Sequence, residues 1–249
     1  MPRDAAFARG TTVPMSNHVL LNNVDHRDLR VEAGHGAALG DDIMYAPTFP
    51  GEFRNVQAHY PIVFHRDASG GFHPLVLFGL QEGANLFLEG DRWDATYVPL
   101  SVQRQPFLIG IAGGERHIHI DLDHPRVRGD GGQALFRDFG GNTEYLEQVK
   151  SVLLALHDGI VATPAFIEAL VRHQLLESFA LDIKLDDGSH NRLAGFHTID
   201  EARLQGLDGA ALERLAREGH LLPIYMVLAS MSRFRDLIER MNRRRSAGR

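Results

Sequence analysis

The chain has 249 residues and a formal net charge of −6 at pH 7. This acidic balance argues against a general nucleic-acid binder, which needs a basic excess. The absence of cysteine excludes disulfides, thiolate metal sites and a cysteine nucleophile. Residues 1–15 lack the apolar core of a signal peptide, and no run has the length of a membrane span, so we expect a cytoplasmic protein without such a span.

Residues 1–132 are predicted to form a sheet-rich part of the protein. This region is rich in glycine, proline, histidine and aromatic residues, and its short apolar runs between turn residues are typical of strands. The predicted strands are residues 61–65, 74–80, 85–88, 96–100, 107–111 and 117–122. Their short connections favour mostly antiparallel pairing.

Residues 133–249 are predicted to be helical, with one β-hairpin. Thr143 is placed to cap a helix that ends near Gly159, and Thr163 followed by Pro164 predicts the start of the next helix. Apolar and polar residues then alternate on both sides of a turn, which predicts a hairpin over residues 179–198.

Three more helices are predicted after the hairpin. Residues 198–201 have the form of a capping box, and Asp208 is placed to cap a helix closed by Gly219. The last helix is predicted to run from Pro223 to Met241 with a continuous apolar stripe. We interpret the arginines near the C-terminus as a solvated helix end; they are Arg240, Arg243, Arg244, Arg245 and Arg249.

These patterns predict an α+β fold in which a mostly antiparallel, sheet-rich N-terminal part is followed by a helical C-terminal part that contains a β-hairpin. The glycine-rich segment at residues 128–132 is the one candidate seam between the parts. Because the seam is short, we expect the two parts to pack as one integrated domain.

Several distinctive sequence blocks follow one another along the chain. Among them are HVLLNNVDHRDLRV at 18–31, HYPIVF at 59–64, FGLQEGANLF at 78–87, RWDATYVPL at 92–100, IDLDHPRV at 120–127 and GFHTIDEARL at 195–204. In this order and over nearly the full length, they resemble the SapC family of bacterial proteins.

The resemblance implies a protein whose biochemical activity is not established. The family name points to surface-layer or peptide-transport contexts, and family members are expected beside outer-membrane receptors and flavin-dependent tryptophan-halogenase-like enzymes. The resemblance therefore implies an accessory or binding protein, linked to the uptake or modification of an exogenous substrate. It also implies a protein or peptide partner, such as a flavin-dependent halogenase-like enzyme.

An aromatic and charged cluster around the only tryptophan is the first candidate ligand-binding site. Its members are Glu52, Tyr60, Trp93, Asp94, Tyr97 and Arg104. Arginine and tyrosine beside tryptophan provide a carboxylate-binding fork next to a stacking platform. The alternative is architectural, with Trp93 and Tyr97 in the core and Arg104 paired with Asp94 or Glu52.

A second candidate is a metal site on the strand at 117–122. Strict alternation places His117, His119 and Asp121 on one strand face, and His-x-Asp has the form of a non-haem iron site. His190 or His197 could supply a further ligand. This alternative function is a metal-dependent enzyme in which Arg203 holds a 2-oxoacid. The competing interpretation is an edge strand with solvated polar residues.

Familiar catalytic motifs are missing from the sequence. It contains no GxSxG elbow, no GxxxxGK[ST] phosphate loop and no HExxH helix. Catalytic residues and cofactors therefore stay unassigned, and the sequence leaves open whether the protein is an enzyme.

Overall fold

The secondary structure comes from a computed structural model that describes residues 17–112, 114–128 and 131–247. The strands over these residues are β1 (His18–Leu20), β2 (Arg30–Val31), β3 (Tyr45–Pro47), β4 (Ile62–Arg66), β5 (Phe72–Leu77), β6 (Leu88–Glu89), β7 (Arg92–Trp93), β8 (Phe107–Ala112), β9 (Glu115–Asp121), β10 (Val127–Arg128), β11 (Gln133–Ala134), β12 (Leu176–Lys184) and β13 (His190–Ile199). The helices are α1 (Phe53–Val56), α2 (Leu100–Gln103), α3 (Glu144–Arg172), α4 (Glu201–Gln205), α5 (Gly209–Arg217), α6 (Leu221–Ser230) and α7 (Arg233–Ala247). The predicted α+β class is confirmed.

A five-stranded antiparallel sheet of order β12-β13-β4-β5-β3 contains strands from both parts of the chain. The predicted hairpin is confirmed as β12 and β13, and β13 pairs with β4, with Phe196 opposite His65. Phe64, Leu77 and Phe196 on this sheet belong to the larger hydrophobic cluster. The C-terminal hairpin therefore completes a sheet that the N-terminal strands begin.

Two smaller sheets lie beside a second hydrophobic cluster. Their orders are β1-β9-β8 and β10-β2-β11, and the second cluster contains Phe107, Ile120 and Leu135. Both β10 and β11 pair with β2, so the glycine-rich segment 128–132 joins two strands of one sheet. Part of that segment, residues 129 and 130, lies outside the described residues.

Two of the predicted strands are wrong. Residues 85–88 form a turn in which the Asn85 side chain accepts a hydrogen bond from the Phe87 amide at 2.9 Å, and β6 begins only at Leu88. Residues 96–100 approach α2 irregularly, and Pro99 caps that helix with φ −58° and ψ 141°. Side-chain hydrogen bonds and proline geometry replace strand pairing in this segment.

Helix α3 runs unbroken for 29 residues, so the predicted end near Gly159 and the new start at Pro164 are wrong. The Thr143 cap is confirmed, because its side chain accepts a hydrogen bond from the Leu146 amide. Proline removes one backbone donor from a helix, yet the Thr163 hydroxyl donates to the Gly159 carbonyl at 2.8 Å and the helix continues. Packing at both ends of α3 overrides the local break signal.

The two ends of α3 pack on different hydrophobic clusters. Its first half buries Leu146, Val149 and Leu153 in the smaller cluster. Its second half buries residues of the larger cluster, namely Phe166, Ala169 and Leu170. By length and composition alone α3 could also cross a membrane, which is a weak indication because core helices of soluble proteins pass the same test.

The helices after the hairpin correct two further predictions. The predicted helix from Pro223 to Met241 is two helices, α6 and α7, separated at Met231 and Ser232. The short helix at residue 201 is confirmed, but Asp200 rather than Thr198 accepts the capping hydrogen bond. The Asp208 cap is confirmed by its bond from the Ala211 amide at 2.8 Å, and Gly219 follows α5 with φ +77°.

The C-terminal arginines bind the rest of the protein, so the predicted solvated helix end is wrong for three of them. Arg240 donates to the Asp94 carboxylate at 2.7 Å and its guanidinium lies 4.3 Å from the centre of the Phe87 ring. Arg244 donates to the Asn85 carbonyl, and Arg245 pairs with Asp187. Helix α7 therefore fastens the segment between residues 85 and 94, whereas Arg249 lies outside the described residues.

Substituting alanine at Gly159 is expected to destabilise the protein, although this change usually stabilises a helix. A Cβ atom at Gly159 would lie closer than 3.0 Å to ring atoms of Phe49, and overpacking of this kind costs about 1–3 kcal/mol. Gly209→Ala is the matched control, because a Cβ there meets nothing within 4 Å and should stabilise by about 0.5 kcal/mol. Urea unfolding measures both free energies.

The Phe49→Ala background tests the cause. If the ring creates the penalty, adding Gly159→Ala to Phe49→Ala should lower the free energy of unfolding no further. A Gly159→Ala protein as stable as the natural one would show that the helix and the ring are not in close contact.

Candidate functional site

A cleft of about 690 Å³ lies beside Tyr97, between residues 79–107, which we call the central segment, and the first turns of α3. Hydrogen-bonding side chains dominate its lining; they are Tyr97, Gln103, Gln105, Gln133, Tyr145 and Gln148. Ligand pockets commonly have volumes of about 300–1,000 Å³ and a few placed polar groups. We therefore take this cleft as the candidate binding site.

One wall of the cleft is held by a buried ion pair between Arg126 and Asp41. Arg126 is 4% exposed and Asp41 is fully buried, and the guanidinium contacts both carboxylate oxygens at 2.6 and 2.7 Å. The Nδ1 atom of His35 lies 3.3 Å from the same carboxylate. Burial raises the pKa of Asp41, but the hydrogen bond to His35 and the charge of Arg126 outweigh it and lower that pKa.

The ion pair has a consequence for the charge of the cleft. Arg126 also donates to the backbone carbonyls of Glu32 and Gly34, so its position is strongly constrained. Its positive charge is compensated by Asp41 and is not free for a ligand. Sequence reasoning missed this pair because 85 residues separate the partners, although Arg126 belongs to the block at 120–127.

A second wall of the cleft depends on Glu52, a buried carboxylate that is 2% exposed. Its Oε1 atom accepts hydrogen bonds from the Tyr97 hydroxyl at 3.0 Å and the Leu100 amide at 2.7 Å, and Oε2 accepts from the Thr48 hydroxyl at 2.7 Å. No cation pairs with Glu52 in the described residues. Burial raises the pKa of Glu52 and outweighs these three donors.

Tyr97 is therefore fixed as a neutral hydrogen-bonding group. Burial and the neighbouring Glu52 carboxylate raise the pKa of Tyr97 well above its usual value. The hydroxyl proton is directed at Glu52, and the Asn55 side chain donates a hydrogen bond to the hydroxyl oxygen. Tyr97 is the one member of the predicted aromatic cluster that lines the cleft.

Trp93 and Tyr60 lie beneath Tyr97 in the larger hydrophobic cluster. The Trp93 indole donates to the Tyr60 hydroxyl at 2.7 Å, and that hydroxyl donates to the Tyr97 carbonyl at 2.5 Å. Buried tryptophan and tyrosine need such partners for their polar atoms. These two side chains support the Tyr97 backbone, as the architectural alternative expects.

Arg104 and Asp94 lie apart from each other. The Arg104 guanidinium donates to the Phe107 carbonyl at 2.8 Å, so the expected pairing with Asp94 or Glu52 is wrong. Burial lowers the pKa of Arg104. Asp94 instead pairs with Arg240 in a separate depression of about 230 Å³.

The proposed metal ligands lie on β9, the middle strand of its sheet, so the edge-strand interpretation is wrong. Asp121 accepts hydrogen bonds from the amides of Asn17 and Asp123, whereas Nδ1 of His119 is buried without a partner. His117 lies opposite Gly110 on β8. The described residues contain no group of three or more histidine, aspartate or glutamate side chains that could hold a metal ion.

The additional residues of the metal hypothesis lie elsewhere in the fold. His190 and His197 are on β13, in the five-stranded sheet rather than the sheet of β9. Arg203 donates to the Gln174 side chain and to the His173 carbonyl. The iron-dependent enzyme stays a prediction.

Comparison with known proteins identifies a family. A family model described as SapC matches residues 21–237, a span that covers most of both parts of the chain and contains every residue lining the cleft. No curated protein and no solved structure matches the chain.

Two substitutions of Glu52 are expected to distinguish the contribution of its charge to stability from the contribution of its hydrogen bonds. Glu52→Ala leaves three donors without their acceptor and should cost about 3 kcal/mol or more. Glu52→Gln keeps an acceptor for Tyr97 and Leu100 and should be much less destabilising. Chemical denaturation at several pH values measures both differences.

The contribution of Glu52 to the free energy of unfolding is expected to change with pH in one direction. Because burial raises the pKa of Glu52 above 4.5 in the folded protein, the folded state retains a proton that the unfolded chain releases. Stability attributable to Glu52 should therefore fall as the pH rises above 4.5, and Glu52→Gln should remove this contribution. A difference between the two proteins that is constant from pH 4 to 8 would contradict the assignment.

Proposed function

The chain belongs to the SapC family, and we propose that it is an accessory protein that binds a small polar ligand in the cleft. The observation that carries the proposal is the polar cleft of about 690 Å³, with walls held by buried networks. Rigid walls reduce the conformational entropy that binding must otherwise remove. The protein then serves the uptake or modification of an exogenous substrate.

The charges around the cleft favour a ligand that carries an amino group. Glu32 and Glu144 line it, and neither carboxylate forms an ion pair within the described part of the chain. Arg126 is compensated by Asp41, so the uncompensated charge of the lining is negative. An ammonium group would pair with this charge while the amides and hydroxyls bind the rest of the ligand.

The amino terminus of a short peptide has this chemistry, whereas the carboxylate of a free amino acid would meet no uncompensated cation in the lining. The peptide's ammonium group matches the carboxylates, and its carbonyl oxygen matches the glutamine amides of the lining. The rings of Tyr97 and Tyr145 offer apolar contact and aromatic surface for the same ligand.

The proposal includes a partner and a location that rest on other arguments. The family context supports a protein partner such as a flavin-dependent halogenase-like enzyme, to which the bound substrate would be delivered. The burial of α3 residues in two hydrophobic clusters supports a core helix rather than a membrane span, and the cytoplasm is the location that we propose.

Calorimetric titration with paired probes tests the ligand class. We expect free dipeptides and primary amines to bind, and their N-acetylated counterparts to lose binding because acetylation removes the positive charge. Glu144→Gln and Glu32→Gln should each weaken amine binding about tenfold, the value of one charge-assisted hydrogen bond of about 1.5 kcal/mol.

Glu213→Gln is the matched control for these variants. Glu213 is an exposed helical glutamate on α5 that does not line the cleft, so this change should leave affinity unaltered. Equal affinity for free and acetylated probes, or unchanged binding in both cleft variants, would refute the amine-binding proposal.

A further inference from the structure

One side of α3 is exposed along the whole length of the helix. Residues spaced three and four apart lie on the same side of a helix, and every member of this series is exposed. We call this series the α3 outer face; it consists of Glu147, Ser151, Leu154, Asp158, Val161, Ala165, Glu168 and Arg172.

The middle of the α3 outer face exposes apolar side chains on both sides of Asp158. Val161 is 67% exposed and Leu154 is 37% exposed, and Ile160 beside them is 63% exposed. The most apolar window of α3 has a mean hydropathy of 1.4, yet only 22% of it is buried. Apolar surface that neither hydrophobic cluster covers is typical of an interaction site.

The charges at the two ends of the α3 outer face are complementary to each other. Glu147 lies near the first turn and Arg172 is the last residue of the helix. Each forms an exposed ion pair within its own chain, Glu147 with Lys150 at 3.8 Å and Arg172 with Glu168 at 3.0 Å, and exposed pairs of this kind contribute so little to stability that pairs between two copies can replace them. In an antiparallel pair of α3 helices centred between Gly159 and Ile160, Glu147 of one copy falls opposite Arg172 of the other. A two-fold axis produces this ion pair twice.

The same register accommodates the remaining members of the face. Leu154 falls opposite Ala165, so a large side chain meets a small one. Lys150 is also exposed, and it falls opposite the position next to Glu168 of the other copy. Asp158 falls opposite Val161 near the axis, and it lies 3.7 Å from Arg116 of its own chain, which compensates its charge.

We propose that the α3 outer face binds a second copy of this chain, forming a two-fold dimer through an antiparallel pair of α3 helices. Self-complementary charge selects a second copy over an unrelated protein, because an unrelated partner requires no such symmetry. A lipid surface is disfavoured because the chain has a net charge of −6 and anionic membranes attract basic surfaces.

Sedimentation velocity over a range of protein concentrations tests the dimer. We expect the natural protein to dimerise and Val161→Glu to weaken association at least 100-fold, because it places a glutamate opposite Asp158 of the other copy at two symmetric positions. Val24→Glu is the matched control: Val24 is 82% exposed in the turn between β1 and β2, so this variant should still dimerise.

Charge reversal tests the register of the two helices. Arg172→Glu should weaken the dimer at least tenfold, because it opposes like charges at two places. The double variant Glu147→Arg with Arg172→Glu should restore association by recreating both ion pairs. Rescue of this kind would not follow from a purely structural role of Arg172 within one chain.

Three results would overturn the proposal. These are a natural protein that stays monomeric at all concentrations, a dimer unaffected by Val161→Glu, and a double variant that associates no better than Arg172→Glu. Co-sedimentation with phosphatidylglycerol and phosphatidylcholine vesicles provides the competing outcome. Vesicle binding lost in Val161→Glu, with no dimer in solution, would assign the face to lipid instead.

Discussion

The packing of one continuous helix against two separate hydrophobic clusters holds this protein together. Helix α3 buries Leu146 and Leu153 in the smaller cluster and Phe166 and Leu170 in the larger one. A break at Pro164 would leave each half of the helix free to pack independently. Because the helix continues, the position of the small sheets relative to the five-stranded sheet depends on α3 as well as on backbone pairing.

Helix α3 also places the two surfaces to which we assign function. Its first turns supply Glu144, Tyr145 and Gln148 to the cleft, and its opposite end supplies Arg172 to the outer face. Glu144 lies on the same side of the helix as Glu147, three residues further along, but the cleft and the outer face use different side chains. Ligand binding and self-association can therefore use the same helix without sharing side chains.

The buried carboxylate that positions side chains of the central segment also lowers the stability of the protein. Glu52 is a buried carboxylate whose nearest partners are neutral donors, and charge burial without a cation is unfavourable. Its hydrogen bonds nevertheless orient Tyr97 at the cleft and hold Leu100 at the start of α2. Arg240 fastens the other side of this segment through Asp94. Such an arrangement is consistent with a site in which side-chain position matters more than stability.

Local chemistry in the sequence was sufficient for the elements that depend on neighbouring residues. The caps at Thr143 and Asp208, the glycine at 219 and the hairpin over residues 179–198 follow from turn and capping preferences. The family resemblance also follows from the sequence, because it is carried by blocks of residues. These features involve contacts over a few positions, or no contacts at all.

Tertiary structure decided which local signals prevailed and which side chains meet. Pro164 is a helix-break signal, but burial on both sides of it keeps α3 continuous. The Arg126–Asp41 and Arg240–Asp94 pairs join residues that are 85 and 146 positions apart, and no local pattern specifies such partners. No local pattern specifies either that, in the aromatic and charged cluster, Trp93 is buried in the core whereas Tyr97 lines the cleft. By itself the sequence determined the fold class, the hairpin and the helix caps, whereas long-range packing decided the site, because burial and charge pairing depend on distances that only the folded chain defines.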